Sequence, residues 1–167
     1  DYKVTGVQTC ALPILLSQWN PYYTFWLLKR GRAEMRIEDA THRVAAGQWI
    51  IVPPNLFRRH ALSENTELLS LSFQWTWPLG DPVLAMRSPV IGRANHAAKL
   101  CTQVRRVVRY FEAPWPANQK LVVAQWLGFQ RDCHEFLLTM SQVVTDRGLD
   151  RKSTRLNSSH LVISYAV

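Results

Sequence analysis

His, Cys and carboxylate side chains hold metals and move protons, and in this 167-residue chain they are thinly spread. His42 and His60 stand in the first half, Cys133 and His134 are adjacent, and Glu34, Arg36 and Glu38 alternate within one short segment. A divalent metal asks for three or four neutral or anionic donors. His60, with Arg58 two positions before it, offers one donor and one cation. Adjacent Cys133 and His134 leave a helix in different directions, so they make no catalytic pair, and Cys133 reads as a buried apolar position. The other Cys, at 10 and 101, complete no metal-ligand or disulfide spacing. There is no Gly-x-Ser-x-Gly elbow and no Gly-rich phosphate loop. The chemistry left to these residues is recognition, and no enzyme activity and no cofactor is expected.

For recognition, five residues stand out: Trp26, Arg36, Trp49, His60 and Gln74. The two rings can stack on the apolar faces of sugars or ring compounds, Arg36 and Gln74 can bond hydroxyl or carboxylate oxygens, and His60 can donate or accept. Arg36 would suit an anionic effector through a bidentate contact. Each has a plainer reading, the Trp residues as core and Arg36 as part of a solvated face. Strand alternation puts Trp26 with Leu28, Trp49 with Ile51, Arg58 with His60, and Ser70 and Ser72 with Gln74. It leaves open which of these faces is inward.

Short strands must carry these residues. Residues 22–29 are aromatic and apolar, Arg30-Gly31 turns the chain, and residues 33–38 alternate, which predicts a hairpin. Further strands are predicted at 41–45, 48–52, 58–62 and 67–75, with Pro53-Pro54-Asn55 stopping the one at 48–52. Six closely spaced strands suggest a small barrel or sandwich. From Pro78 to Pro89 the chain is irregular. Asn95 then reads as the N-cap of a helix to Glu112, with Leu100, Val104, Val107 and Phe111 on one face. Pro114 and Pro116 break it. A second helix over 118–146, stopped by Gly148, carries Val122, Trp126, Phe129, Cys133, Phe136, Met140 and Val143 in a seven-residue repeat. That stripe is either the face that packs on its own domain or a dimer seam.

Composition gives 47% hydrophobic residues and a formal charge of +8, which suits one globular domain. No apolar run approaches the roughly 20 residues that cross a bilayer, and the start has no basic-then-apolar leader. A cytoplasmic protein without membrane partners is the expectation. The two ends read unlike the middle. Residues 4–14 and 150–160 resemble translations of one sequencing adapter and its reverse complement, and Tyr2-Lys3 and Leu161-Val162 can encode the same six-base index on opposite strands. Residues 1–14 and 150–167 are therefore taken as adapter-derived flanks, and the biological part as a fragment of a longer protein. That part, 15–149, has 16 Lys and Arg against 10 Asp and Glu.

Within it, Trp26 to Gly31, then Ala46-Gly47 leading into Trp49-Ile50-Ile51-Val52-Pro53-Pro54, then His60 and the run Leu71 to Trp75, resemble the N-terminal cupin domain of AraC-type transcription regulators. The match covers roughly residues 20–80. The resemblance implies a mainly β fold with α, a small cupin-type β-barrel or jelly roll at 15–92, followed by two α-helices at 93–149 that serve dimerisation. It implies an effector-sensing and dimerisation domain that lacks the DNA-binding helix-turn-helix module. Its partners would be a small-molecule effector, sugar-like or a small organic acid, and a second copy in a homodimer; DNA would be reached only through the missing C-terminal module. The alternatives are a metal-dependent cupin enzyme and a stand-alone small-molecule-binding cupin. Catalytic cupins carry a His-x-His pair, a downstream Glu and a later His. Here the first hairpin is followed only by His42, and Arg58 stands where the later His falls, so no metal is expected.

The basic excess raises direct nucleic-acid binding as a third class, through Arg105, Arg106 and Arg109 on the first helix and Arg58 and Arg59 near a turn. Helical spacing makes the first three an ordinary polar face opposite Leu100 and Val104. Basic residues interleaved with aromatic ones in an RNA-binding pattern are missing.

Overall fold

The computed structural model describes the backbone of residues 2–3, 7–10 and 14–16 and the full residues 17–77, 80–112 and 116–146. In chain order the elements are β1 (Tyr2–Lys3), β2 (Val7–Cys10), β3 (Ile14–Asn20), β4 (Tyr23–Arg30), β5 (Arg32–Ile37), β6 (Ala40–Ala45), β7 (Gln48–Val52), β8 (Leu56–Leu62), β9 (Thr66–Phe73) and β10 (Val90–Arg93). A 3-10 turn over Ala94–Ala97 then runs into α1 (Ala98–Glu112), and α2 (Gln119–Asp146) follows. One sheet is ordered β1-β9-β4-β7-β10, with β2 also on β9; the other is β3-β8-β5-β6, and every pairing is antiparallel. The class is mainly β with α, a small cupin-type barrel followed by two helices, as the sequence predicts.

The two sheets face each other across an apolar interior. Trp26, Leu28, Ile50, Val52 and Leu68 from the first meet Ala33, Met35, Ile37, Val44 and Leu62 from the second. On the far side of the first sheet lies a second, larger core. There Tyr23, Phe25, Leu27, Trp49, Ile51, Leu69, Leu71 and Phe73 pack against Leu100, Val104, Val107, Phe129, Phe136 and Met140 of the helices. Burial on both faces explains why Tyr23 to Leu28 shows no alternation and is buried throughout, whereas β5, with one face in water, alternates strictly.

The hairpin expected between residues 22–29 and 33–38 does not form. β4 pairs with β7 and β9, while β5 pairs with β6 and β8, so Arg30-Gly31 carries the chain from one sheet into the other. The register shifts between Leu28 and Arg30, and Gly31 takes φ +81° with Thr66 occupying the space a Cβ would need. A bulge followed by a left-handed residue turns the strand out of its plane. The true hairpin is β5–β6, closed at Glu38, itself at φ 53°.

Four strands escape the sequence reading, and two of them, β1 and β2, lie on β9 within the stretch taken as a flank. β3 is a full partner of β8, and β10 lies on β7 just after the stretch read as irregular and before the expected helix, supplying an edge of only four residues. β9 ends at Phe73, short of the expected Trp75, which is half-buried against the helical core. Asn95 is not a helix cap: it lies exposed inside the 3-10 turn, whose preceding residue is Arg93, and no side chain caps that turn. At α2 the expected start holds, since the Asn118 Oδ1 accepts the Lys120 N–H at 2.9 Å. The stop at Gly148, the break at Pro114 and the segment 150–167 lie outside the described residues.

The seven-residue stripe on α2, read as an own-domain face or a dimer seam, lies largely against the chain's own core. Phe129, Cys133, Phe136 and Met140 are buried in the chain's own core, and Val143 packs against that core, while Val122 is half-buried and Trp126 stays 37% exposed. Phe136 is the centre of the contact, its ring edge-on to Phe25 at 5.9 Å and to Phe73 at 5.5 Å. A second tie joins the helices to each other. Asp132, buried on α2, accepts hydrogen bonds from Arg106 and Tyr110 of α1 and from Arg131. Burial pushes its carboxyl up, but the bonds and charges of Arg106 and Arg131 outweigh this and hold it below the usual carboxylate range.

Phe136→Ala is expected to cost about 3–5 kcal/mol in urea unfolding, at a midpoint independent of protein concentration; a concentration-dependent midpoint would place the ring in an inter-chain seam instead. Gly31→Ala is expected to cost about 3 kcal/mol, because the new Cβ would collide with the Thr66 Oγ1 and lie 2.8 Å from its Cα. Wild-type stability in that variant would mean that the sheet crossing tolerates a different backbone.

Candidate functional site

β8 places the decisive side chains. Its burial alternates, so Arg58, His60 and Leu62 point between the sheets while Phe57, Arg59 and Ala61 face solvent. An apolar strand face would be the ordinary choice there, yet two of the three inward residues are polar. Across the interior, β4 and β9 direct Thr24, Trp26 and Ser70 to the same space, with Ser72 beside them half-buried. The Trp26 Nε1–H donates to the Ser70 Oγ at 3.1 Å, the Thr24 and Ser72 hydroxyls meet at 3.4 Å, and the Asn20 amide donates to Thr24 at 3.2 Å. The result is a buried polar seam running along one side of an otherwise apolar interior.

Arg58 is 2% exposed. Its guanidinium carbon lies 6.0 Å from the Trp26 ring centroid, and its Nε and Nη1 have no hydrogen-bond partner among the described residues. Burial pushes its pKa down to about 10, which still leaves it charged at neutral pH. His60 stacks edge-on against Trp26 with centroids 5.1 Å apart, and its Nδ1 is likewise unpartnered. Burial first, and the Arg58 charge second, push its pKa down to about 4, so the ring is neutral under ordinary conditions. At the other end of the barrel a cavity of about 530 Å³ is lined by Arg32, Glu34, Arg43 and Gln48 at its mouth and by Ala33, Val44 and Leu62 at its floor. The floor residues belong to the same inward face that continues through His60 to Arg58.

Of the five residues picked from sequence, the structure brings together Trp26 and His60. Arg36 is on the solvent face of β5, Trp49 is on the helix side of β7 where its Nε1–H reaches the Arg93 carbonyl at 3.3 Å, and Gln74 is exposed beyond the end of β9. Arg36, Trp49 and Gln74 therefore lie apart from Trp26 and His60. The paired faces expected by alternation, Trp26 with Leu28 and Trp49 with Ile51, are correct; what differs is which side of the sheet each meets. Arg58, Thr24 and Ser70 lie outside the five residues that the sequence singles out. Their signal is that Arg58 and His60 run in phase with Leu62, a residue certain to be inside.

Other chemistry-bearing groups are accounted for structurally. Cys133 is buried with its thiol pushed up to about 12 by burial and by Asp132, and His134 beside it points to solvent. The basic set proposed for nucleic acid is dispersed: Arg58 is interior, and Arg106 is engaged by Asp132 and Glu135. Among the described residues, no three His, Cys, Asp or Glu side chains gather as a metal site would require. No described helix is long and apolar enough to cross a membrane.

No family model matches the sequence, and no curated protein matches it. Solved structures that resemble the fold include a cupin 2 conserved barrel domain protein from Salinispora arenicola, at 19% identity and TM-score 0.36, covering 41% of this chain and 60% of that one. Another is unsaturated fatty acid bound ToxT from Vibrio cholerae, at 12% identity and TM-score 0.44, covering 62% of this chain and 46% of that one. Oxalate decarboxylase from Bacillus subtilis is a third, at 16% identity and TM-score 0.32, covering 50% and 20%. The chain thus spans 60% or less of each of these three.

The neutral, buried state of His60 has a consequence for stability. Unfolded, it takes up a proton near its ordinary pKa of about 6.5; folded, it does so only near 4. The unfolded state therefore binds more protons between these values, and stability falls as pH drops through that window. Urea titrations at pH 7.5 and 5 are expected to show wild type losing about 2 kcal/mol more than His60→Leu. Equal losses in the two proteins would mean that His60 is not held neutral by its surroundings.

Proposed function

We propose that this chain is the effector-sensing and dimerisation part of an AraC-type transcription regulator, binding a small molecule between its two sheets. One observation carries the reading: the buried polar groups Trp26 and Ser70 lie on the reverse side of the strands on which α1 and α2 pack. A molecule that contacts Trp26 or Ser70 presses on β4 and β9, and one strand layer away Phe25 and Phe73 touch Phe136 of α2. An effector with different affinity for two helix placements would shift their populations. The resemblance of the Trp26–Gly31 and Gly47–Pro54 runs to that family supports the same assignment.

In this reading the helices join two copies. The first turns of α2 support it, since Leu121, Val123 and Leu127 are each more than half exposed with Trp126 beside them, an apolar patch of the sort that marks association surfaces. DNA contact is assigned to a further module of the parent protein, and the location is cytoplasmic. A non-catalytic role is supported by Arg58, whose charge beside His60 repels a divalent metal where cupin enzymes gather one. Stoichiometric iron, manganese or zinc in the purified protein would overturn that and favour the enzyme alternative.

The test combines association with transmission. Sedimentation of the full chain is expected to give a dimer at high micromolar concentration and a monomer for Leu127→Glu; a monomer in both would remove the dimerisation role. Small organic acids and monosaccharides screened by thermal shift are expected to include one that raises Tm and slows amide exchange in both the barrel and α2. Protection confined to the barrel would break the proposed link to the helices.

A further inference from the structure

We infer that the ligand of the barrel interior is an organic anion, its carboxylate seated on the guanidinium of Arg58; this rests on the sensing reading above and adds the charge of what is sensed. The inward faces of the strands around Arg58 carry Thr24, Trp26, Met35, Ile37, Ile50, Val52, His60, Leu68 and Ser70, and none of these is an acid. The carboxylates nearest in sequence on β5 and β9, Glu34 and Glu67, are engaged outside the interior, with Arg43 at 3.1 Å and with Lys29 at 2.9 Å. Arg58 is thus a cation 2% exposed, with Nε and Nη1 unpartnered among the described residues, the Trp26 ring at 6.0 Å and neutral His60 close by. Removing a charge from water without a counter-ion is strongly unfavourable, and a ring face at 6.0 Å returns a small part of that cost.

A carboxylate supplies what is missing. The guanidinium is shaped to give two parallel N–H···O bonds to one carboxylate, and a desolvated pair of this kind is much stronger than one on a surface. His60 adds an unpartnered Nδ1 next to the same space, and as a neutral ring it can donate from one nitrogen. Met35, Ile50, Val52 and Leu68 are the apolar core packed on the same interior, and Ala33, Val44 and Leu62 carry that inward face to the cavity of about 530 Å³. The arrangement discriminates by charge. A neutral amide or alcohol of the same shape leaves the guanidinium uncompensated, and an additional cation is repelled.

The experiment uses the full chain and the probes benzoate, phenylacetate and hexanoate, each against its own amide, with glucose as a neutral polyol, read by calorimetry and thermal shift. At least one acid is expected to bind tenfold or more tightly than its amide, and Arg58→Met to erase that preference. Arg58→Met alone is expected to raise the Tm of the ligand-free protein, since it removes an unpaired buried cation, whereas Arg58→Lys keeps a weakened preference for the acid. Binding of glucose, or of amides as well as acids, would overturn the anion assignment and leave the sensing role standing. Binding of none of the probes would overturn both. A lower ligand-free Tm in Arg58→Met, with binding unchanged, would show that Arg58 is paired within the fold and serves structure alone.

Discussion

Burial of one sheet on both of its faces is the constraint from which the rest follows. β4, β7 and β9 are covered on one side by the second sheet and on the other by α1 and α2, so consecutive residues along each strand belong to different cores. Phe25 touches Phe136 of α2 while Trp26, its neighbour, meets Ser70 and His60 in the barrel. No main-chain shift of one residue is possible here without exchanging the two cores wholesale. The same arrangement gives a mechanical connection between interior and helices that is one strand thick, which is as short as such a connection can be in a layered protein.

Two polar side chains interrupt an otherwise apolar interior. Most of its lining is Leu, Ile, Val and Met, as a stable core requires, but β8 interrupts it with Arg58 and His60 in consecutive inward positions. Both lose their usual hydration, and both have pKa values displaced downward, the direction that burial imposes on cationic groups. Elsewhere the molecule treats buried charge differently. Asp132 has three donors around it and functions as a clamp between α1 and α2. The buried charge on the helices is satisfied, whereas the one in the barrel has Nε and Nη1 unpartnered among the described residues.

Much of the architecture was legible along the chain. Alternation in 33–38 and 67–75, the Pro53-Pro54 stop and the heptad-like spacing of α2 each correspond to an observed element, because each records a local periodicity. What escaped legibility had no local record. The Arg30-Gly31 turn looks like a hairpin turn, and only the position of Thr66, thirty-odd residues away, shows that the chain is crossing between sheets. β10 is four residues long and derives its order from the edge of β7 rather than from its own composition. The α2 stripe is equally compatible with a partner chain and with its own sheet, and the aromatic face of Phe25 and Phe73 decides for the latter.

The same division holds for the site. By itself the sequence determined which residues share a face: Trp26 with Leu28, Trp49 with Ile51, Arg58 with His60, since a strand's two-residue period is a property of the backbone. It determined too that no cluster of metal-binding side chains lies close along the chain. Only the tertiary structure decided which face is inside, sending Trp49 to the helices, Arg36 to water, and Arg58 and His60 to the interior. The reason is that inward and outward are defined by what covers a sheet, and each sheet here is covered by segments distant in sequence, whose placement no period within a single strand can record.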